Sequence, residues 1–430
     1  MNLSINDTIY NLLHKNFKGS YNKTNICSGC GYMLRLVGLV DINSFFASCH
    51  QAEQPELEGR EVIVTGNPER RAGIVLAASY PAKGKGVKTG MPIWEAKMLC
   101  PDAHFFVSDY PLYVDCSARI LKIARDFTDQ IEPFSIDEFF IEITNIVNLW
   151  GSPLDIAIKL KERIRSEVGI FCSIGIGPNK LIAKMAADLQ KPNGLTIIKD
   201  LREYCRTFYD KPVRELFGIG PRYERHLKYL NIHTIGDLAN YPVEVLKKRW
   251  GKNGELLWYC ARGIDSSPVL PSTLDTSKSI GQQRTLPRDI KGFSKIKVII
   301  LELTEMVARR VRKGNYVGRT VYLTLRDTQL NFLSHSMSMK DYSDLPGDIY
   351  NTACRLLGLH WNEAWPVRLV GVTLGNLVKK KHEQFDLFGE KEQQANIAKA
   401  CDAIRDRFGE KAILRGVSLT EESLYGWKPQ

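Results

Sequence analysis

Between residues 34 and 198 short apolar runs alternate with longer stretches of helical periodicity. The runs "LRLVGLVDI", "EVIVTG", "GIVLAAS" and "FCSIGIG" have strand length and many β-branched residues, and they predict strands. "PLYVDCSARILKIARDFTDQI" and "PLDIAIKLKERIRSEV" repeat apolar positions every three or four residues and predict helices. Between them "FSIDEFFIEI" predicts a strand or tight hairpin that carries two adjacent acids. The mixture indicates an α+β or α/β body. Residues 199–270 turn helical, centred on "LFGIGPRYERHLKYLNIHTIGDLANYP", and the Pro and Ser clusters of "SSPVLPSTLDTSKS" mark a linker. Beyond it the pattern predicts a strand "SIGQQRTL", a helix over 294–313 and strands "YVGRTVYLTLR" and "LNFLSHSMS". A helix near 346–358 and a strand "VRLVGVTLG" complete a β-α-β-β-α-β order, that of a split βαβ unit. Residues 1–32 lack sustained periodicity and read as an extension before Met33; residues 379–430 read as a charged, weakly patterned tail.

Composition bounds this picture. A chain of 430 residues, 44% hydrophobic and 25% charged, is too long for one core and suits two to four domains. The net charge of +11 suits a polyanionic partner, and its distribution says more. Between Lys278 and His382 eighteen Lys and Arg face eight Asp and Glu, so nearly all the excess falls in one quarter of the chain. Ten scattered cysteines suggest no disulfide framework, and neither a secretory signal nor an apolar run of membrane-spanning length is visible. The simplest compartment is a reducing cytoplasm. Cys27-Ser-Gly-Cys30 is half a zinc site at most, and its role stays open.

The chemistry turns on three acids. A carboxylate in a half-buried strand is costly unless a cation compensates it. Asp137 and Glu138 could simply reach water at a strand end, and Asp41 in "GLVDINSFFASC" could be a turn former or helix N-cap. The alternative is that all three converge from strand ends and hold divalent cations, for which hard oxygen ligands suit Mg²⁺. A pair of such ions can activate an attacking hydroxyl and stabilise a leaving phosphate oxygen. Two basic stretches would complete a triphosphate site. "ASYPAKGKGVKTGMP" carries Tyr80, Lys83, Lys85 and Lys88, and "GPNKLIAKMAADLQKPNG" carries Lys180, Lys184 and Lys191. Neither has P-loop spacing, and each alone is an ordinary basic loop or helix. "GIG" at 218–220, followed by a helix with Arg222, Arg225 and Lys228, fits a helix-hairpin-helix that reads nucleic-acid backbone; an ordinary helical hairpin fits it too.

In order along the chain, "VDINSFFAS", "ASYPAKGKGVKTGMPIWEAK", "SIDEFFIEI", "SIGIGPNKLIAKMAADLQKPNG" and "GIG" closely resemble the Y-family, or translesion, DNA polymerases of the UmuC/DinB type. The likeness runs from about Met33 through Leu377. It implies that Asp41, Asp137 and Glu138 are catalytic and bind two Mg²⁺ ions, with the Ile42 carbonyl as a further ligand. Phe45, Phe46, Tyr80, Lys83 and Lys191 match nucleotide-binding positions. Lys83 stands where many members have Arg, so a point charge replaces a bidentate grip. Phe46 matches the steric gate against a ribose 2′-OH, although a core aromatic starting a helix is the plainer reading, above all for Phe45. Gly218, Gly220, Arg222, Arg284 and Arg319 match DNA-contacting positions. In the tail, Gln384-Phe385-Asp386-Leu387-Phe388 resembles the bacterial sliding-clamp-binding peptide, with Phe385 in place of Leu.

The resemblance implies a multidomain α+β right-hand polymerase. Its parts would be a ferredoxin-like palm (33–44 and 109–198), small fingers (45–108) and a helix-hairpin-helix thumb (199–270). A linker (271–277), a β-α-β-β-α-β little finger (278–378) and a tail with the clamp peptide (379–430) would follow. The expected activity is template-directed, low-processivity DNA synthesis on a primed template from dNTPs, without proofreading, in translesion synthesis and DNA repair within the SOS response. The expected place is the cytoplasm, at the nucleoid, with accessory subunits left open. Two rivals remain: a non-catalytic clamp-tethered DNA-binding protein, and another two-metal nucleotidyl transferase or cyclase on a similar palm.

Overall fold

Strand β1 (Val37–Ile42) is buried along its whole length, so it can only lie inside a sheet with both faces covered. In the computed structural model, which describes residues 35–67, 73–271, 277–380, 390–420 and 423–424, β1 does so. After it come α1 (Phe45–Glu53), β2 (Val62–Thr65), β3 (Val75–Ala78), α2 (Tyr80–Gly84), α3 (Ile93–Leu99) and β4 (His104–Val107). Next are α4 (Tyr110–Arg125) and the hairpin of β5 (Ile131–Pro133) and β6 (Glu138–Glu142). α5 (Pro153–Val168), β7 (Cys172–Gly177), α6 (Lys180–Leu189) and β8 (Leu195–Ile197) finish this stretch.

The main sheet has the order β5-β6-β1-β7-β8, and β1 is antiparallel to both β6 and β7. Strands β6 and β7, joined through α5, are therefore parallel with β1 between them. The strand period of two then sorts the side chains. Val40, Ile42, Phe139 and Ile141 join Ile120 of α4 and Leu160 of α5 in one core. Val37, Leu39 and Phe140 point the other way, onto Ala183 and Ala187 of α6. Asp41 and Glu138 are in phase with this second set, so they share the sheet face that α6 crosses.

The crossing is close. A Cβ on Gly175 of β7 would lie 2.1 Å from the Ala183 carbonyl oxygen and 2.2 Å from the Ala187 nitrogen, so only glycine lets α6 lie there. Local signals set the helix ends. Ser152 and Asp155 form a capping box at α5, Pro153 takes its first position, and Gly169 closes it in the left-handed conformation. Asn179 caps α6 by accepting from the Ile182 N–H.

Strands β3-β2-β4 form a separate small sheet with its own core of Ile63, Val75, Ala78 and Ala82. Helices α7 (Leu201–Phe208), α8 (Pro221–Lys228), α9 (Ile235–Asn240), α10 (Val243–Trp250) and α11 (Lys252–Ala261) gather around Tyr204, Phe208, Leu227 and Leu246. Leu181, Ile182 and Met185 of α6 join that core. These parts make up one compact unit, and residues from 277 onward form a second.

In the second unit β9 (Ser279–Ile290), α12 (Phe293–Lys313), β10 (Tyr316–Arg326), β11 (Phe332–Ser343), α13 (Pro346–His360) and β12 (Val367–Gly375) appear in the expected order. The sheet order is β11-β10-β12-β9 with every neighbour antiparallel. Each helix thus joins two parallel strands separated by a third, the split βαβ arrangement. Ile299, Leu303 and Val307 of α12 and Ile349 and Leu356 of α13 pack onto Val321, Val370 and Val372.

Three expectations need correction. The helix expected over 111–131 ends at Arg125, because the Thr128 hydroxyl accepts from the Gln130 N–H and turns the chain into β5. Strand β11 runs on to Ser343, following β10 through an irregularity at Gly318 and Thr320. The tail is not unstructured throughout: β13 (Val378–Lys379) pairs with β10, and α14 (Glu390–Phe408) docks on α12. Arg312 makes a two-pronged contact with Asp402, at 2.7 and 2.9 Å, and Arg309 reaches Asp406 at 2.6 Å and also Glu410. Arg405 and Arg415 both hold Glu305, at 2.8 and 2.5 Å. Buried Glu302 accepts from the Ser423 hydroxyl and the Leu424 N–H, both at 2.7 Å. The signal was faint because these contacts join charges distant in sequence. Among the described residues no helix is long and apolar enough to cross a membrane.

Deleting residues 381–430 would remove the tail partners of these charges on α12, leaving Arg312 only the Asp344 carbonyl at 2.9 Å. The deletion is expected to destabilise the second unit by about 3 kcal/mol or more, read from urea unfolding. A change below about 1 kcal/mol, the worth of exposed ion pairs, would contradict this account.

Candidate active site

The register between β1 and β6 puts Asp41 directly opposite Glu138. The Ile42 N–H donates to the Asp137 carbonyl at 2.9 Å, which ties the hairpin turn to the end of β1. Asp137 lies in that turn, where the Ser135 hydroxyl donates to its carboxylate. All three acids therefore meet at one end of the main sheet. Asp41 is buried; burial and the neighbouring Glu138 carboxylate push its pKa up to about 7, against the pull of Lys191. Burial also raises Asp137, with the Ser135 hydrogen bond opposing it.

Lysines from α6 and just beyond it meet two of these carboxylates. Lys184 Nζ is 2.7 Å from Glu138, and Lys191 Nζ is 2.6 Å from Asp41 and 2.8 Å from Asp188. Among the described residues no three acids or other metal-ligating side chains are already drawn into one coordinating cluster. Two of the three acids are paired with lysines instead. The donor set still fits a hard divalent cation, since the carboxylates crowd one sheet end and the ionised form of Asp41 is disfavoured even with Lys191 beside it.

The nucleotide-matching residues lie around this centre. Lys83, in α2, donates to the Ser44 hydroxyl at 2.8 Å and stands 4.6 Å from the centre of the Tyr80 ring. Burial lowers its pKa, Lys191 adds to the lowering, and Asp41 opposes it. Tyr80 is raised by burial and feels Lys191 and Asp41. Tyr80, Lys83, Lys191 and Asp41 thus share one electrostatic environment. Ser44, which opens α1, has a φ of 47°, a left-handed conformation unusual for a residue with a side chain. The two phenylalanines part company. Phe45 is in the core, whereas Phe46 is partly buried, stacked on Tyr113 at 4.2 Å and edge-on to Tyr110 at 6.0 Å.

Of the remaining lysines, Lys180 does not reach this centre. It is buried against both oxygens of Glu132, at 2.8 and 2.7 Å, and also donates to the Pro268 carbonyl at 3.2 Å. Lys85 pairs with Glu61 at 2.7 Å. Asn43 was missed by sequence reasoning: its side chain donates to Ser173 at 2.9 Å and accepts from the Asn193 N–H at 2.7 Å, supporting the loop that follows Lys191. Its neighbour Asp41 and the glycine-flanked "KPNG" were the only hints.

Gly218 has a φ of +96°, and Gly220 directly precedes α8, which starts at Pro221. Arg214 donates to the Ile219 carbonyl at 2.9 Å and braces the turn, while Arg222 is exposed. In the second unit Arg284 is on β9 opposite Val370. Arg319 is exposed on β10 and donates to the Met339 carbonyl at 3.1 Å. Gln384, Phe385, Leu387 and Phe388 lie outside the described residues, as do Cys27 and Cys30.

Comparison with known proteins gives the family. Residues 40–188 match the impB/mucB/samB family, residues 277–387 the C-terminal domain of that family, and residues 214–265 the thumb domain of DNA polymerase-iota. DNA polymerase IV of Moorella thermoacetica is 55% identical over 390 residues, spanning 90% of this chain and 97% of that protein. DNA polymerase IV 2 of Bacillus subtilis is 41% identical over 392 residues, spanning 90% of this chain and 95% of that one. Among solved structures, a Y-family DNA polymerase chimera, Dbh-Dpo4(243-245)-Dbh, superposes with a TM-score of 0.70 at 28% identity, over 80% of this chain and 99% of its own. The chain therefore belongs to the Y-family DNA polymerases of the UmuC/DinB type, as a DNA-directed DNA polymerase of translesion synthesis.

Proposed function

We propose that Asp41, Asp137 and Glu138, with the Ile42 carbonyl, form the catalytic centre and hold two Mg²⁺ ions. The observation that carries this reading is the register of Asp41 opposite Glu138, on the sheet face where Lys191 also arrives. When bound, the ions supply charge neutralisation and activation of the primer 3′-hydroxyl for attack on the α-phosphate of a dNTP. The chain's own residues orient the reactants. Lys83 and Lys191 offer point charges to phosphate oxygens, and Tyr80 packs beside them. The Phe46 ring, braced by Tyr113 and Tyr110, blocks a 2′-hydroxyl on the incoming sugar. Catalysis then rests on alignment more than on a protein acid or base.

In this reading the main sheet is the palm (33–44 and 109–198), residues 45–108 are the fingers and 199–270 the thumb. Gly218 and Gly220 let backbone N–H groups approach a phosphate beside Arg222. The second unit is the little finger, following the duplex through its basic excess, with Arg284 and Arg319 on its sheet. Residues 384–388 are a sliding-clamp tether, which suits an enzyme that leaves its template often. Synthesis without proofreading belongs to the same reading.

Asp137→Ala and Glu138→Ala are each expected to lower primer extension by about 10³-fold or more while duplex binding persists in a filter or anisotropy assay. Extension at the parent rate would refute the assignment. Phe46→Ala should admit ribonucleotides, measured as the ratio of rNTP to dNTP incorporation; an unchanged ratio places the gate elsewhere. Replacing Gln384, Leu387 and Phe388 with alanine should reduce stimulation by the clamp, and equal stimulation of variant and parent would rule the peptide out as the tether.

A further inference from the structure

Lys184 has no part in the reaction just described, yet its surroundings are specific. It stands in the middle of α6 with 11% of its side chain exposed, against 27% for Lys191. Three groups surround its ammonium: the Glu138 carboxylate at 2.7 Å, and the rings of Phe134 and Phe217, each centred 5.3 Å away. The two rings also meet edge to face at 6.2 Å.

Phe134 and Glu138 belong to the acidic hairpin and Phe217 to the glycine turn, all within the same compact unit. Phe134 opens the turn that carries Asp137, and its N–H donates to the Glu138 carbonyl at 2.9 Å. Phe217 immediately precedes Gly218, and its N–H donates to the sulfur of Met185, the residue after Lys184, at 3.4 Å. One ammonium therefore joins the acidic hairpin, α6 and the glycine turn.

Two consequences follow from the charge and the rings. A cation this close to Glu138 offsets the negative potential that an incoming divalent ion would meet. The ring faces favour keeping the ammonium where it is. Phe217 can stay in that place only if the glycine turn keeps its conformation. A backbone contact that shifts the turn would draw Phe217 off the ammonium, leave the lysine less firmly seated and free Glu138 for a cation.

We propose that Lys184 is a positioning residue that weakens cation binding at Glu138 in the free protein and couples that site, through Phe217, to nucleic-acid backbone held at residues 218–220. The proposal rests on reading Glu138 as a metal ligand and the glycine turn as a backbone contact. By reciprocity, duplex binding tightens cation binding and cation binding tightens duplex binding by the same factor.

The test is Mn²⁺ binding to the full-length protein without nucleotide, followed by electron paramagnetic resonance of the free ion, with and without a primed duplex ending in a 3′-dideoxynucleotide. The parent should bind Mn²⁺ about fivefold or more tightly when the duplex is present. Lys184→Met should bind Mn²⁺ more tightly than the parent in the absence of duplex, and the duplex should then add little. A misfolded variant cannot gain affinity, so the expected change is not one that structural damage imitates. Lys184→Arg should restore parent behaviour, and Phe217→Leu should lose the duplex effect. Unchanged or weaker Mn²⁺ binding in Lys184→Met, or a duplex effect that persists in it, overturns the proposal. Glu138→Gln separates the two levels: if it binds Mn²⁺ as the parent does, Glu138 is not a ligand, and the underlying reading fails first.

Discussion

Where β1 runs antiparallel to β6, two carboxylates are carried into a half-buried sheet end and set opposite each other. Such an arrangement survives folding only if positive charge comes to meet it. The protein supplies the paired charges through α6 and the loop after it, because the face opposite α6 is filled by the apolar core of α4 and α5. The phase of the strands, the apolar stripe of α6 and the lysines at 184 and 191 are thus parts of one solution. A shift of register by a single residue would turn Asp41 and Glu138 into the core and Val40 and Phe139 toward the lysines.

A second buried pair supports the first. Glu132 is fully buried, and Lys180 meets both its oxygens; the Leu270 N–H adds a third hydrogen bond at 2.8 Å. Around it, Asn179 donates to the Gly263 carbonyl, the Leu181 N–H donates to Asp265, and Arg35 donates to the Ser267 carbonyl. The stretch 263–270 is strapped across the α6 side of the sheet, and Val269 is buried among Leu39, Phe140 and Ala187. Replacing a buried ion pair by apolar groups often costs little, so stability alone does not account for this one. Its geometric effect is to lock the hairpin bearing Asp137 and Glu138 to the start of the helix bearing Lys184.

Much of this was legible in the chain itself. The helix over 153–168 announced both ends through Ser152, Pro153, Asp155 and Gly169, and the β-α-β-β-α-β order of the second unit followed from periodicity alone. The three acids stood out because ionisable groups interrupt apolar strands at a cost. What stayed hidden depends on tertiary pairing. Nothing local distinguishes Lys180, which turns inward to Glu132, from Lys191, which reaches Asp41. Helix α14 escaped notice because its contacts with α12 are made by arginines and acids about a hundred residues apart, which in sequence look like a solvated charged tail. Asn43 was overlooked because a short polar residue after a strand usually marks only a turn.

Gly175 brings one more property with it. Because α6 touches the β7 backbone with no side chain between them, the helix has no room to slide or tilt toward the sheet. The Cα atoms of Lys184 and Asp188 are therefore fixed relative to the acids. Any exchange of partners at this sheet end must come from torsions of long side chains, which turn over in nanoseconds where exposed, and not from displacement of a helix, which takes microseconds or longer. The scaffold is built to stay still while its charges change places.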